Sequence, residues 1–407
     1  MLRAFTVASI ATVVLSFPAP PVAAETCDLT LDRALAIARE RAPAIVAART
    51  RIDEARARLD GASLLLRDNP ELEGDAGPRF APDGTSTDIR ARLSQALELG
   101  GVRGARIAGA EAGVAQAAAG ADDTVLRVQQ SAATIFLRTR AAAEQLVLAE
   151  HAADMASELR QAAERRFRAG DVPVLDVNVA RAALARARAD VAAARAARRE
   201  ASGRLAILLA LGDAQPIPCG PLSEHAALDL DDLLRRAPER ADLRGLAAQI
   251  DEADADRDLG AARVWPGVKV GTEYKREEGQ DIYLGGLSLS VPLFERGQSA
   301  RAEAEARARR LRHQRDAAVQ AASVEVRTAW DVYGELTTAT TELARELPTL
   351  DESETLAKRS YDAGEISLAE LLLVRRETLD IRRAWLEHAL EAAVAGIELQ
   401  AAAGVLR

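Results

Sequence analysis

Four histidines, two cysteines and a surplus of carboxylates are the residues with chemistry to offer in this chain. His151, His225, His313 and His388 are scattered, with no spacing that brings two of them to one metal, and each reads as a helix-surface residue. No nucleophile elbow and no phosphate-binding loop occurs. Cys27 and Cys219 offer a disulfide, which an exported protein can keep, or two buried thiols. Neither reading makes a metal site, because structural zinc wants four Cys or His ligands. There are 62 acids against 53 bases, net charge −9, and the two signs interleave. That leaves no basic face for nucleic acid. Two acids stand apart by position. Asp176 and Glu370 hold matching places just past the glycine turns Ala169-Gly170 and Ala363-Gly364. An acid there complements the positive N-terminal end of a restarting helix. These residues predict no enzyme, no cofactor and no resident metal.

The elements that position those turns begin with an export signal. Arg3, the apolar run Ala4 to Phe17 and Val22-Ala23-Ala24 read as a signal peptide over residues 1–24, cut ahead of Glu25. The run is too short to span a bilayer. Ala24-Glu25-Thr26 before Cys27 does not make a lipoprotein box, so no lipid is expected there. No later stretch is apolar enough for a transmembrane helix. The remaining chain is soluble, peripheral, or inserted as a β-barrel, since only helices and closed barrels satisfy their backbones in lipid.

The rest is written twice, over 25–218 and 219–407. Ile52-Asp53-Glu54-Ala55 recurs as Ile250-Asp251-Glu252-Ala253, Asp88-Ile89 as Asp281-Ile282, and Leu93-Ser94 as Leu287-Ser288. The shared order and nearly constant offset mark a duplication. Each half predicts a helix (Leu31 to Leu66; Leu230 to Arg263), a non-helical stretch bearing Pro70 or Pro266, and a very long helix (Val102 to Arg168; Ser299 to Asp362). A glycine turn and a last helix of roughly forty residues follow. Alanine-rich composition favours such rods. Leu184, Ala187, Val191, Ala194, Ala201, Leu205 and Leu208 keep a coiled-coil spacing that Arg198 interrupts. Leu379, Leu386, Leu390, Ala393 and Ile397 do the same in the second half.

The non-helical stretches alternate. Val268, Val270, Thr272 and Tyr274 alternate with Lys269, Gly271 and Glu273; Leu287, Leu289, Val291 and Leu293 alternate with Ser288, Ser290 and Pro292. Period two with opposite faces suits a strand between lipid and water. Glu277-Glu278-Gly279-Gln280 joins the pair as a hairpin. The first half carries a weaker version, in which Ile89, Ala91 and Leu93 face a poorly apolar partner over Glu71 to Phe80. The predicted fold is mainly α with a small β part: duplicated long-helix coiled-coil hairpins and four strands per chain.

Three patches carry a family likeness. They are Leu29 to Leu35 leading to Ala42-Pro43, Leu97-Glu98-Leu99-Gly100-Gly101 running into Arg103, and Arg166 to Gly170 echoed by Ser360 to Gly364. In this order on a duplicated chain, they resemble the TolC-like outer-membrane efflux family. The second patch is most similar to its heavy-metal, cobalt-zinc-cadmium branch. The resemblance implies a homotrimer whose strands close a twelve-stranded barrel in outer-membrane lipid and whose helices form a periplasmic tunnel. It also implies a periplasmic adaptor and an inner-membrane pump as partners, and export of divalent heavy-metal cations. In that family, acids beyond the turns line a constriction. By likeness Asp176 and Glu370 are gate candidates, with Leu373 where a second acid would stand, and Tyr361 and Arg168 are candidates for closing hydrogen bonds. Gly170, Val172, Leu175, Gly364, Ile366 and Leu368 are the candidate adaptor-docking tips, or are buried by neighbouring hairpins of the same trimer. Drug efflux, type I secretion and a periplasmic coiled-coil scaffold that never inserts are the alternative readings.

Overall fold

The computed structural model describes residues 28–82, 84–222 and 228–406. The expected signal peptide, Cys27 and His225 lie outside them. The element order is α1 (Leu31–Arg41), α2 (Pro43–Ser63), β1 (Glu71–Ala81), β2 (Gly84–Leu97), α3 (Val102–Ala169) and α4 (Val174–Leu208). It then repeats with α5 (Leu230–Arg236), α6 (Ala241–Ala262), β3 (Gly267–Glu277), β4 (Gln280–Ser290), α7 (Gln298–Ala363) and α8 (Leu368–Ala402).

Both opening helices break where one had been expected. Ala42 is extended at φ −60° and ψ 125°, because the ring of Pro43 disfavours a helical residue before it, and Pro43 then starts α2. In the second half Pro238 lies in a short 3-10 turn, and Arg240 turns extended before α6. The long helices end within a residue of expectation. At 68 and 66 residues they are rods of about 100 Å. The buried positions of α3 are mostly alanine, which lets neighbouring helices approach closely. Pro348 sits inside α7 without ending it, on an exposed face.

The four strands form one antiparallel sheet in the order β1-β2-β3-β4. The two repeats meet at its centre, where Ile89 pairs with Arg276 and Leu97 with Val268. Glu278 and Gly279 both take positive φ, 51° and 78°, as the two-residue turn between β3 and β4 requires. The first hairpin, weak by composition, is as long as the second. One of its faces is held by charge: Glu73, Arg92 and Glu273 stand in one row and Asp75, Arg90 and Lys275 in the next. Arg92 pairs with Glu273, and Arg90 with Asp75 at 3.0 Å. The opposite face carries Leu72, Leu93, Val270, Leu287 and Leu289, all exposed. Val291 and Leu293, expected in the last strand, lie beyond it.

Packing sets a linear order of elements. Toward the strands the helices run α2-α3-α6-α7, and toward the glycine turns α4-α3-α8-α7. One lateral edge of the chain therefore runs through β1, α2 and α4, and the other through β4 and α7. Between these ends, Leu29, Leu35, Phe136, Leu205, Leu209 and Leu386 share one buried cluster. Beside it the start of the described chain pairs with the link between repeats, the Cys219 N–H donating to Leu29 O at 2.8 Å. Cys219 is disulfide-bonded.

Candidate gate at the helical tips

The α3 and α7 rods end alike. Gly170 takes φ 84° and Gly364 φ 82°, a region that costs any residue with a Cβ. The Gly170 N–H donates to Phe167 O and that of Asp171 to Arg166 O. In α7 the Gly364 N–H donates to Tyr361 O and that of Glu365 to Ser360 O. This doubled closure satisfies the last carbonyls of each helix.

The restarts differ. Pro173 is extended and immediately precedes α4. Ser367 starts α8 with a capping box: its hydroxyl accepts from the Glu370 N–H, and the Glu370 carboxylate accepts from the Ser367 N–H at 2.7 Å. Asp176 and Glu370 hold the same third helical position, as their matching places in sequence indicated. Glu370 is committed to its own helix end. The Ser367 backbone N–H, then its hydroxyl, hold that carboxyl below the usual carboxylate range. Asp176 is half-buried in the first turn of α4, with no capping side chain at Pro173.

The two tips are fused into one body. Leu159 and Ala163 of α3, Val177 and Ala180 of α4, Tyr361 of α7, and Leu368 and Leu371 of α8 form one buried cluster. This corrects two expectations. Leu368 is 3% exposed and so is core rather than a docking contact, and Ile366 packs half-buried against that core. Tyr361 is equally sealed, and its hydroxyl finds no hydrogen-bond partner among the described residues. It therefore makes no closing hydrogen bond through its phenol. Arg168 lies exposed, and the guanidinium that joins the hairpins is that of Arg166. Its Nη1 donates to Tyr361 O at 3.2 Å, and its charge lies over the Tyr361 ring.

Gly170, Gly364 and Leu175 remain exposed and Val172 half-exposed, and Phe167, Val174 and Leu373 add exposed apolar surface. Higher up, Arg375 of α8 is buried between hairpins. Its Nη1 donates to Met155 O at 3.2 Å and its Nε lies 3.8 Å from Glu354. Burial lowers its pKa, while Glu354 raises it. Arg375 went unnoticed in the sequence, yet it was detectable as a charge three to four residues from Leu371 and Thr378 on the buried seam of α8.

A four-stranded sheet with one charge-paired and one apolar face, set on paired rods of about 100 Å whose turns are fused at the far end, defines the class of the chain's fold. The model of the outer membrane efflux protein family matches residues 34–211 and 233–405, once per repeat, and the chain belongs to that family. It is a transport protein rather than an enzyme. The cobalt-zinc-cadmium resistance protein CzcC of Cupriavidus metallidurans is 30% identical over 66% of this chain and 64% of its own length, so the match spans just under two thirds of that relative. Protein CyaE of Bordetella pertussis is 28% identical over 96% of this chain and 87% of its own. The Campylobacter jejuni CmeC outer membrane channel, 17% identical, superposes with a TM-score of 0.78 over 92% of this chain and 85% of its own, a likeness of fold alone.

Proposed function

We propose that this protein is the outer-membrane channel of a tripartite efflux system. It would act as a homotrimer that passively conducts divalent heavy-metal cations received from an inner-membrane pump through a periplasmic adaptor. The observation that carries this reading is the open sheet. Four strands leave β1 and β4 with unpaired edges, which lipid does not tolerate. Three copies joined edge to edge give twelve strands and a closed barrel, with the Leu72–Leu289 face toward lipid and the Arg92–Glu273 face toward water. The rods continue it as a tunnel into the periplasm after export by the 1–24 signal peptide. The metal assignment is supported by the likeness to CzcC. The pump selects cargo in this reading, and the chain's own acids tune passage.

Fractionation and planar-bilayer recording test the channel. The protein should need detergent for release from outer membranes and should conduct ions as a purified trimer. Release by salt alone would favour a non-inserting scaffold. Deleting the gene should lower tolerance to zinc, cobalt or cadmium. A loss of tolerance confined to organic drugs would move the cargo to drug efflux.

A further inference from the structure

The apolar face of the sheet is shorter than the hydrocarbon that a barrel has to meet. On that face the cross-strand pair Tyr274 and Tyr283 stands next to Arg276 and Asp281, whose ion pair closes the apolar surface at the hairpin end. At the other end of the strands the face stops at Val268 and Leu289. From the tyrosines to those residues is about 20 Å along the strand, or about 15 Å of height at a tilt of about 40°. In the first hairpin Phe80 to Leu72 gives about 21 Å of height. The apolar band of an outer-membrane barrel is about 25 Å tall, so the second hairpin falls short by about 10 Å.

The missing height lies on the passage between strands and rods. Val291 and Leu293 keep the alternation of Leu287 and Leu289 past the end of β4, and they add about 10 Å. Phe294 follows, 91% exposed. Leu65, Leu99 and Trp265, in the α2–β1, β2–α3 and α6–β3 connections, are exposed at the same end of the sheet. Trp265 is held in place, because its ring rests on Gly100, where a Cβ would lie 2.0 Å from it. It precedes β3 in the middle of the sheet, so a copy added at β1 or β4 does not cover it. Large apolar side chains exposed on all four connections mark a surface that meets something other than water. Arginine stands among them. Arg67, Arg263 and Arg296 are exposed and make no ion pair with a described residue. Of the acids in the same connections, Glu98 is held by Arg106 and the Glu295 carboxylate accepts from the Gly297 N–H, which leaves Asp68.

We propose that phospholipid of the inner leaflet covers this collar, its acyl chains against Trp265, Leu293 and Phe294 and its phosphates against Arg67, Arg263 and Arg296. The occupant is lipid because the collar continues the apolar side of the sheet and supplies the height that the strands lack. Tryptophan and phenylalanine suit the depth where chain gives way to headgroup, and arginine at that depth finds phosphate. The membrane boundary then falls on the ends of the rods and not on the ends of the strands. Without the collar the bilayer would have to thin to match the second hairpin, which costs free energy for each ångström.

The collar rests on the inserted-barrel reading above, and the test separates the two. Full-length protein is reconstituted into vesicles of phosphatidylcholine and phosphatidylglycerol, with the phosphatidylcholine brominated near the headgroup end or near the tail end of its chains. The chain has three tryptophans, and Trp330 and Trp385 pack half-buried among helices. W330F/W385F leaves Trp265 alone, and W265F checks the same signal by subtraction from wild type. Trp265 should lose at least about half of its emission to bromine near the headgroup end, less to bromine near the tail end, and little to aqueous iodide. Leu289→Trp in a chain without the native tryptophans is the reference. About 10 Å deeper, it should be quenched best by bromine near the tail end. R67Q/R263Q/R296Q should open Trp265 to iodide and leave Leu289→Trp as it was; unchanged access would overturn the phosphate contacts. Trp265 open to iodide and untouched by either lipid, with Leu289→Trp quenched, would overturn the collar alone. Leu289→Trp untouched as well would overturn the inserted barrel and the collar with it.

Discussion

Arg166 of α3 lies over the ring of Tyr361 of α7, its guanidinium carbon 5.1 Å from the ring centroid, and joins the tips of the two hairpins in a single chain. The same side chain donates to Tyr361 O, a carbonyl at the negative end of α7. The tip region is thus a two-hairpin unit within one chain.

Replacing Arg166 with Ala should loosen that unit. Loss of the cation–π contact and of the helix-end charge should cost about 1 kcal/mol of local stability. Hydrogen exchange across residues 355–372 should quicken, and single-channel conductance should rise. Arg168→Ala, which alters an exposed neighbour, should change neither. Equal effects from both variants would return the tips to a generic charge requirement.

Ser367→Ala removes one half of the capping box and should destabilise the start of α8 by about 1 kcal/mol. The box is also pH-dependent. The folded Glu370 carboxyl titrates lower than a free one, chiefly through the Ser367 N–H. Its contribution is therefore whole above the unfolded pKa, near 4.3. It is lost as pH falls through the depressed folded value. Protection of the Leu368 to Leu371 amides, taken relative to their intrinsic exchange rates at each pH, should fall on acidification in wild type and stay flat in Glu370→Gln.

Cation block of the conducting trimer should distinguish the two matched acids. Glu370 is bound to its helix end, whereas Asp176 has no capping partner. Asp176→Asn should weaken block by divalent cations several-fold with little change in melting temperature. Glu370→Gln should lower tip stability as well. Unchanged block in Asp176→Asn would leave that acid with only a helix-end role.

Gly100 has φ 71°, and a Cβ there would meet Trp265 at 2.0 Å. Gly100→Ala should therefore cost more than 2 kcal/mol and lower the yield of folded protein. Gly334 lies in α7 with nothing within 4 Å of a Cβ. Gly334→Ala should stabilise by about 0.5 to 1 kcal/mol. Thermal melts read both, and a harmless Gly100→Ala would mean that the strand-to-helix passage yields more easily than its geometry implies.

Period and punctuation were legible in the sequence, because they are local. Repeated phrases marked the duplication, alanine-rich helical stretches gave the rods, coiled-coil spacing gave their partner helices, and Gly170, Gly364 and the Glu278-Gly279 turn were visible as chain reversals. The likeness of three patches named the family before any coordinate did, and the matching places of Asp176 and Glu370 proved to be one helical position. What stayed hidden depended on distance through space. Composition made the first hairpin look weak, because Glu73, Arg92 and Glu273 find each other only once the strands pair. Leu368 and Leu175 look alike in sequence, yet one is buried by the other hairpin and the other left in solvent. Nor did the sequence choose Arg166 over Arg168 as the bridge to Tyr361: residues two apart on a helix point to different sides, and only the tertiary packing of α3 against the second hairpin decides which guanidinium reaches across.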